Sequence, residues 1–133
     1  MQSNVINTAE AFAKKHNFQF VIHKFKKQKL WGGGKQDPEE NEKWLRFKNK
    51  PGVYIISNEN EVIYIGQSNR NYTGRRLFKS LNDPEKMQYC SDKTDVTILT
   101  FLNKHFTCAL ESYLIEQYNP ISNKQLKSII NSD

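Results

Sequence analysis

Residues 52–66 read Gly-Val-Tyr-Ile-Ile-Ser-Asn-Glu-Asn-Glu-Val-Ile-Tyr-Ile-Gly, and this stretch decides the predicted fold. Two short runs rich in β-branched residues flank a polar turn at 57–60, a pattern that predicts a β-hairpin. Tyr54 and Tyr64 lie ten residues apart, one on each run. Pairing in register places both phenols on neighbouring strands near one end of a small sheet. Buried phenols need hydrogen-bond partners, so this pair indicates either a wet crevice or an active site.

The rest of the chain carries strand-like and helix-like patterns on both sides of the hairpin. Upstream, the predicted elements are a helix at 7–16, an aromatic-rich strand at 18–25, a glycine loop at 32–34 and a short helix at 38–48. Downstream, they are a helix at 74–81, an irregular loop at 82–94, a strand at 95–101 and a helix at 105–118. Apolar residues at helical spacing predict the buried stripe of that last helix: Ala109, Leu110, Tyr113, Leu114 and Tyr118.

These elements predict an α+β fold. Its centre is a small three-stranded antiparallel sheet flanked by helices, with an N-terminal helix and strand as an extension. The 133 residues suffice for one domain with a single modest core. We therefore predict a core at residues 51–133 and a basic extension of the same domain at residues 1–50.

Composition restricts the class of protein and the compartment. No run approaches the roughly 18 apolar residues that a membrane-spanning helix needs, so we expect no membrane contact. The N-terminus lacks a basic start followed by an apolar stretch, so we expect no secretory signal. Cys90 and Cys108 are too far apart for a paired metal-ligand spacing and are expected to be free thiols. Free thiols are typical of the reducing cytoplasm.

The net charge of +6 resides in the N-terminal part of the chain. Residues 1–50 hold 11 Lys/Arg against 5 Asp/Glu, whereas residues 51–133 hold 9 of each. A cluster of lysines interleaved with Phe25 accounts for much of this excess: Lys24, Lys26, Lys27 and Lys29. Such a patch suits a polyanion, of which nucleic acid is the usual example. The alternative is a solvated face that serves only solubility.

Further residues of interest follow the hairpin. Arg75 and Arg76 open the next predicted helix. Residues 111–123 read Glu-Ser-Tyr-Leu-Ile-Glu-Gln-Tyr-Asn-Pro-Ile-Ser-Asn, a helix led by glutamate and followed by proline and asparagine. Together with the hairpin, these elements resemble the GIY-YIG nuclease superfamily over residues 51–125, with Val53 in place of the first isoleucine.

The resemblance implies a site for phosphodiester hydrolysis. That reaction needs an aimed and deprotonated water, neutralised phosphate charge and a stabilised leaving oxygen. Glu111 is the implied ligand of Mg²⁺, or of Mn²⁺ in its place, and Arg75 or Arg76 is the implied phosphate clamp. The resemblance also implies that one of Tyr54 and Tyr64 manages the water while the other helps to anchor it. An ordinary phenol has a pKa of about 10, so a base role needs a nearby cation or metal.

Some positions match the family less closely. Asn123 is the implied structural or supporting amide. Many relatives carry histidine or tyrosine four residues after the arginine, where this chain has Lys79 or Ser80. Some relatives carry lysine after the second signature glycine, where this chain has Gln67. His105 opens the last helix and is a further candidate, although a lone histidine is more often a cap or a surface group.

We therefore predict a metal-dependent endonuclease that hydrolyses phosphodiester bonds in DNA. A phage, mobile-element or restriction type is favoured on size alone. The lysine cluster, with Arg70 and Lys79, is expected to contact the DNA backbone. One site nicks one strand, so double-strand breaks need a homodimer or sequential cuts. The alternatives are an inactive nucleic-acid-binding module and a regulatory domain whose basic patch binds an acidic partner.

Overall fold

A computed structural model describes residues 2–26, 50–59, 61–68, 77, 80, 83–91, 93–102 and 104–123, with the side chains of 2–4 and 26 left aside. The elements are α1 (Gln2–Lys15), β1 (Phe20–Lys26), β2 (Gly52–Asn58), β3 (Glu61–Ser68), α2 (Pro84–Met87), β4 (Asp95–Phe101), a 3₁₀ turn (Lys104–Phe106) and α3 (Thr107–Tyr118). Leu77 and Ser80 also have helical backbone. The predicted helix at 38–48 and the glycine loop before it lie outside the described residues.

The described strands form one antiparallel sheet in the order β1-β4-β2-β3. The predicted α+β class is confirmed, and the N-terminal strand joins the sheet by pairing with β4, which makes four strands. The two central strands are buried along almost their whole length. Strands covered on both faces read as continuous apolar runs, which explains the sequences of β2 and β4.

The two faces of the sheet carry separate cores. One face, here called the tyrosine face, holds Phe25, Tyr54, Ile56, Ile63, Tyr64, Leu77, Val96 and Ile98. The other, here called the helix face, packs against α1 and α3 and holds Val5, Ala9, Val53, Ile55, Ile65, Leu99, Phe101, Leu110 and Leu114. The two helices also contact each other, because Thr8 and Tyr118 share a hydrogen bond of 2.6 Å between their hydroxyl oxygens.

An irregularity in β3 sets the direction of the second signature tyrosine. In the β2–β3 pair, Ile56 lies opposite Tyr64, whereas the next residue, Ser57, lies opposite Val62. Strand β3 therefore contains one extra residue, Ile63, that has no partner across the pair. A bulge of this kind bends the strand and re-aims its side chains. Ile63 and Tyr64 consequently both belong to the tyrosine face.

Two asparagines with left-handed backbone end the long helices. Asn17, with a φ of 59°, follows α1, and the N–H of Phe18 donates to the carbonyl of Ala13 at 2.9 Å. Asn119, with a φ of 47°, follows α3 and donates its N–H to Ile115 at 2.7 Å. Asparagine tolerates this conformation and is a recognised alternative to glycine at helix ends. The first turn directs the chain into β1, and the second leads into the buried Pro120.

Three predictions about secondary structure need correction. Helix α1 begins at Gln2, before the predicted start at residue 7. The loop predicted at 82–94 contains α2. Asp83 caps the N-terminus of this helix, because its side chain accepts a hydrogen bond from the Glu85 N–H at 3.0 Å. Ala109 is exposed, so the buried residues of α3 are Thr107, Leu110 and Leu114, with Tyr113 and Tyr118 half-buried.

Candidate active site

The first signature tyrosine is enclosed. Tyr54 lies directly across from Gly66 in the β2–β3 pair and is only 2% exposed. A Cβ built on Gly66 would overlap the Cζ and hydroxyl oxygen of Tyr54. Glycine is therefore needed here because the phenol ring lies across the backbone of the neighbouring strand. The Tyr54 hydroxyl is 2.9 Å from the hydroxyl of Ser80, which is buried on a helical segment.

The second tyrosine lies beside the first and beside a lysine. The Tyr54 and Tyr64 ring centroids are 6.1 Å apart and their planes are inclined by 36°. The ammonium nitrogen of Lys86 lies 4.9 Å from the centroid of the Tyr64 ring. Sequence reasoning missed Lys86, since a charged residue in a polar segment gives no signal of the contact that it will make across the fold.

Asn123 binds the outer edge of the sheet. Its side-chain oxygen accepts from the Ile65 N–H at 2.8 Å, and its side-chain nitrogen donates to the Ile65 carbonyl at 2.9 Å. Strand β3 is at one edge of the sheet, so this amide satisfies a backbone donor and acceptor that a further strand would otherwise take. Asn123 therefore holds the centre of β3 through Ile65, and its supporting role in the site stays a prediction.

The residues before Asn123 connect the end of α3 to α2. Ile121 packs against the tyrosine face. The Ser122 hydroxyl donates to the backbone carbonyl of Lys86 at 3.0 Å. The segment after Pro120 therefore fixes the edge of β3 and the backbone of Lys86 together.

Glu111 is the predicted metal ligand. It is half-buried, next to Leu110 and three residues before Leu114, on the side of α3 that packs against β3. Among the described residues, no group of three or more His, Cys, Asp or Glu could hold a metal together. A single carboxylate fits Mg²⁺, which prefers oxygen ligands and usually keeps several waters.

Gln67 contributes a buried side-chain oxygen to β3. The side-chain carbonyl of Gln67 is buried without a hydrogen bond to any described residue. Gln67 is two residues beyond Ile65 on β3, so it shares the face that α3 covers. An unpaired buried oxygen of this type is compatible with a metal ion or with a bound water.

The other predicted site residues are only partly described. Lys24 is exposed on β1, at the opposite edge of the sheet from β3. His105 is exposed in the 3₁₀ turn. Several predicted positions lie outside the described residues, or have side chains outside them, and stay predictions: Lys26, Lys27, Lys29, Arg70, Arg75, Arg76 and Lys79.

The paired tyrosines on an antiparallel hairpin, the flanking helices and the asparagine at the sheet edge define a GIY-YIG catalytic domain. The model of that family matches residues 50–125, and the chain belongs to it. The resemblance seen in the sequence is thereby confirmed. Among the described residues, no helix is long and apolar enough to cross a membrane.

Relatives of this chain include UvrC proteins. One similar solved structure is the GIY-YIG N-terminal endonuclease domain of UvrC from Thermotoga maritima, bound to its catalytic magnesium. Its TM-score to this chain is 0.51 and its sequence identity is 26%, and the match covers 65% of this chain and 98% of that domain. A variant of that domain with one asparagine replaced by alanine, also bound to its catalytic divalent cation, has a TM-score of 0.50 and 25% identity, covering 65% and 97%.

Full-length relatives show how much of them this chain represents. UvrABC system protein C from Thermotoga maritima is 34% identical over 87 residues, and the protein from Thermotoga sp. strain RQ2 is 28% identical over 85 residues. In both cases 64% of this chain aligns with 15% of the relative. The UvrC domain from Thermotoga maritima is described as an endonuclease domain with a catalytic magnesium ion, and the predicted GIY-YIG fold of this chain is confirmed by its likeness to that domain.

Proposed function

We propose that this protein is a metal-dependent endonuclease that hydrolyses phosphodiester bonds in DNA. The observation that carries the proposal is the pair Tyr54 and Tyr64, packed side by side on the tyrosine face with Lys86 against the second ring. Membership of the GIY-YIG catalytic family and the magnesium-bound endonuclease domain of UvrC support it.

The two tyrosines are assigned different roles. Tyr54 is 2% exposed and its hydroxyl contacts Ser80, so we assign it to anchoring. Tyr64 is 8% exposed and has a cation beside its ring, so we assign it to the attacking water. A positive charge near a phenol favours negative charge on the phenol oxygen, which a water-handling role requires.

Glu111 is the proposed metal ligand. Bound there, Mg²⁺ would supply positive charge for the phosphate oxygens. Arg75 or Arg76 is proposed to clamp the phosphate, because a planar guanidinium makes two parallel hydrogen bonds to phosphate oxygens. Asn123 is proposed to hold β3, and with it Tyr64, in place through Ile65.

The basic residues are proposed to bind the DNA backbone: Lys24, Lys26, Lys27, Lys29, Arg70 and Lys79. Lys24 lies at the far edge of the sheet, three strand spacings or about 14 Å from β3. We propose that Lys24 contacts phosphates that flank the cut. Binding through several such charges should weaken steeply as salt is added.

The domain organisation, the type of nuclease, its assembly and its location complete the proposal. We propose that residues 1–50 and 51–133 form one domain, since β1 pairs with β4 and α1 packs beside α3. A phage, mobile-element or restriction type, a homodimer for double-strand cutting and a cytoplasmic location are proposed with it. The free thiols Cys90 and Cys108 are compatible with a reducing compartment.

The test is cleavage of labelled single-stranded and double-stranded DNA with Mg²⁺ or with EDTA. Glu111→Ala should lower the rate by about 100- to 1,000-fold, because the charge that stabilises the transition state is lost. Glu116→Ala is the matched control, since Glu116 is exposed on the same helix and should retain activity. Salt-sensitive binding without cleavage by the unaltered protein would favour the inactive binding module instead.

A further inference from the structure

Lys86 has an unusual environment for a lysine. Its side chain is 21% exposed, and its ammonium faces the Tyr64 ring at 4.9 Å. Its carboxylate partner, Asp83, is 4.0 Å away, at the outer limit of an ion pair. Lysine usually keeps its ammonium in water, because removing the charge from water is costly. The aromatic ring therefore supplies part of the environment that this charge needs.

The position of Lys86 is fixed from two sides. Its backbone carbonyl accepts from the Ser122 hydroxyl at 3.0 Å. The other oxygen of Asp83 accepts from the Glu85 N–H at 3.0 Å, which sets the start of α2. Met87, the next residue, packs against the tyrosine face. The ammonium is consequently directed towards the ring by the fold.

A continuous series of contacts joins Lys86 to both tyrosines. The Tyr54 hydroxyl contacts the Ser80 hydroxyl, and the Ser80 carbonyl accepts from the Asp83 N–H at 3.1 Å. Asp83 pairs with Lys86, Lys86 lies over Tyr64, and the Tyr64 ring lies beside Tyr54. A change at Lys86 is therefore transmitted to Tyr64 directly.

We infer that Lys86 is a positioning residue for Tyr64: its ammonium holds the ring and keeps a positive charge beside the phenol. This inference rests on the proposed function, in which Tyr64 handles the attacking water. Lys86 is then the cation that a water-handling phenol requires, and it lies outside the hairpin, the arginine pair and residues 111–123. The competing explanation is that only the aliphatic stem of Lys86 matters, by covering the ring.

Three variants separate charge from packing. Lys86→Met keeps an unbranched stem and removes the charge, whereas Lys86→Arg keeps a cation. Lys93→Met is the matched control, because Lys93 is exposed in the turn before β4. Cleavage is measured under single-turnover conditions together with the DNA dissociation constant, and thermal unfolding checks that each variant is folded.

We expect Lys86→Met to lower the single-turnover rate by about 3- to 30-fold, the range that a lost cation–aromatic attraction implies. The DNA dissociation constant should change by less than about 2-fold, and Lys86→Arg should restore most of the rate. A normal rate in Lys86→Met overturns the inference. So does weakened DNA binding with an unchanged rate, which would make Lys86 a simple backbone contact.

A second readout is independent of catalysis. The ring resonances of Tyr64, identified by their loss in Tyr64→Phe, should shift in Lys86→Met and return towards their original positions in Lys86→Arg. If the unaltered protein cuts no DNA, the proposed function fails while this measurement still decides whether the contact exists. Unchanged resonances in Lys86→Met overturn the inference whatever the cleavage result.

Discussion

Replacing Gly66 by alanine tests the packing on which the candidate site depends. The new Cβ would overlap the Cζ and hydroxyl oxygen of Tyr54, so the ring or the backbone of β3 must move. The ring cannot swing out freely, because Tyr54 is 2% exposed within the tyrosine face. Its displacement would also separate the hydroxyl from Ser80, now at 2.9 Å.

The expected cost follows from these two effects. Overpacking of a core costs about 1–3 kcal/mol, and a buried hydroxyl that loses its partner costs about 1–3 kcal/mol. Because one ring movement produces both effects, we expect a total of about 2–4 kcal/mol rather than the full sum. For a domain of this size, that corresponds to a fall in the melting temperature of about 6–16 °C.

Urea denaturation of the unaltered protein and of Gly66→Ala measures this cost. The same substitution in a Tyr54→Leu background is the control, because the shorter side chain leaves room for the new Cβ. The cost should then fall to below about 1 kcal/mol, which gives a clear coupling between the two positions. An equal cost in both backgrounds, or a cost below about 0.5 kcal/mol for the single variant, would refute the reasoning.

Further outcomes are expected from the same structure. Asn123→Ala removes two hydrogen bonds to the backbone of Ile65 and should lower the free energy of unfolding by about 2 kcal/mol. Asn123→Asp puts a carboxylate oxygen against the Ile65 carbonyl in place of the donating nitrogen, so it should cost at least as much, and a clearly smaller loss would contradict the geometry. Ser80→Ala removes the hydrogen bond between Ser80 and the buried Tyr54 hydroxyl and should lower the free energy of unfolding by about 1–3 kcal/mol. Adding Tyr54→Phe to this variant should recover part of the loss, which urea denaturation of the double variant measures. Chelation of divalent cations should abolish cleavage while DNA binding persists, and a gel-shift assay with EDTA that showed no binding would contradict separate binding and metal sites. Binding should also weaken linearly on a log–log plot of affinity against salt, and a flat plot would argue against backbone contacts.

The hairpin and the helices could be predicted because their signals are local. Alternating β-branched residues around a polar turn specified β2 and β3, and the run at 95–101 matched β4 residue for residue. Tyr54 and Tyr64 were correctly placed on neighbouring strands for the same reason. The family motif allowed the segment of Glu111 to be recognised as well, because the spacing of the motif residues along the chain can be read directly from the sequence.

Other features escaped the sequence because they depend on contacts between distant segments. The start of α1 at Gln2 has little support from helix propensity there, and packing of Val5 and Ala9 against the sheet provides it. The formation of α2 has the same kind of cause. The segment is rich in turn formers, but Met87 and Cys90 pack on the tyrosine face and stabilise the helix there. Local patterns report propensity, whereas these elements form through burial.

The sequence by itself determined the fold class, the positions of the signature tyrosines and the family, because each follows from residue types at fixed spacing. Only the tertiary structure decided what surrounds those residues. The place of β1 beside β4, the contact of Ser80 with Tyr54 and the position of Lys86 over Tyr64 all join residues more than twenty positions apart. Such contacts depend on sheet order, on the bulge at Ile63 and on the course of the chain after Pro120, and none of these has a signature in the spacing of side chains.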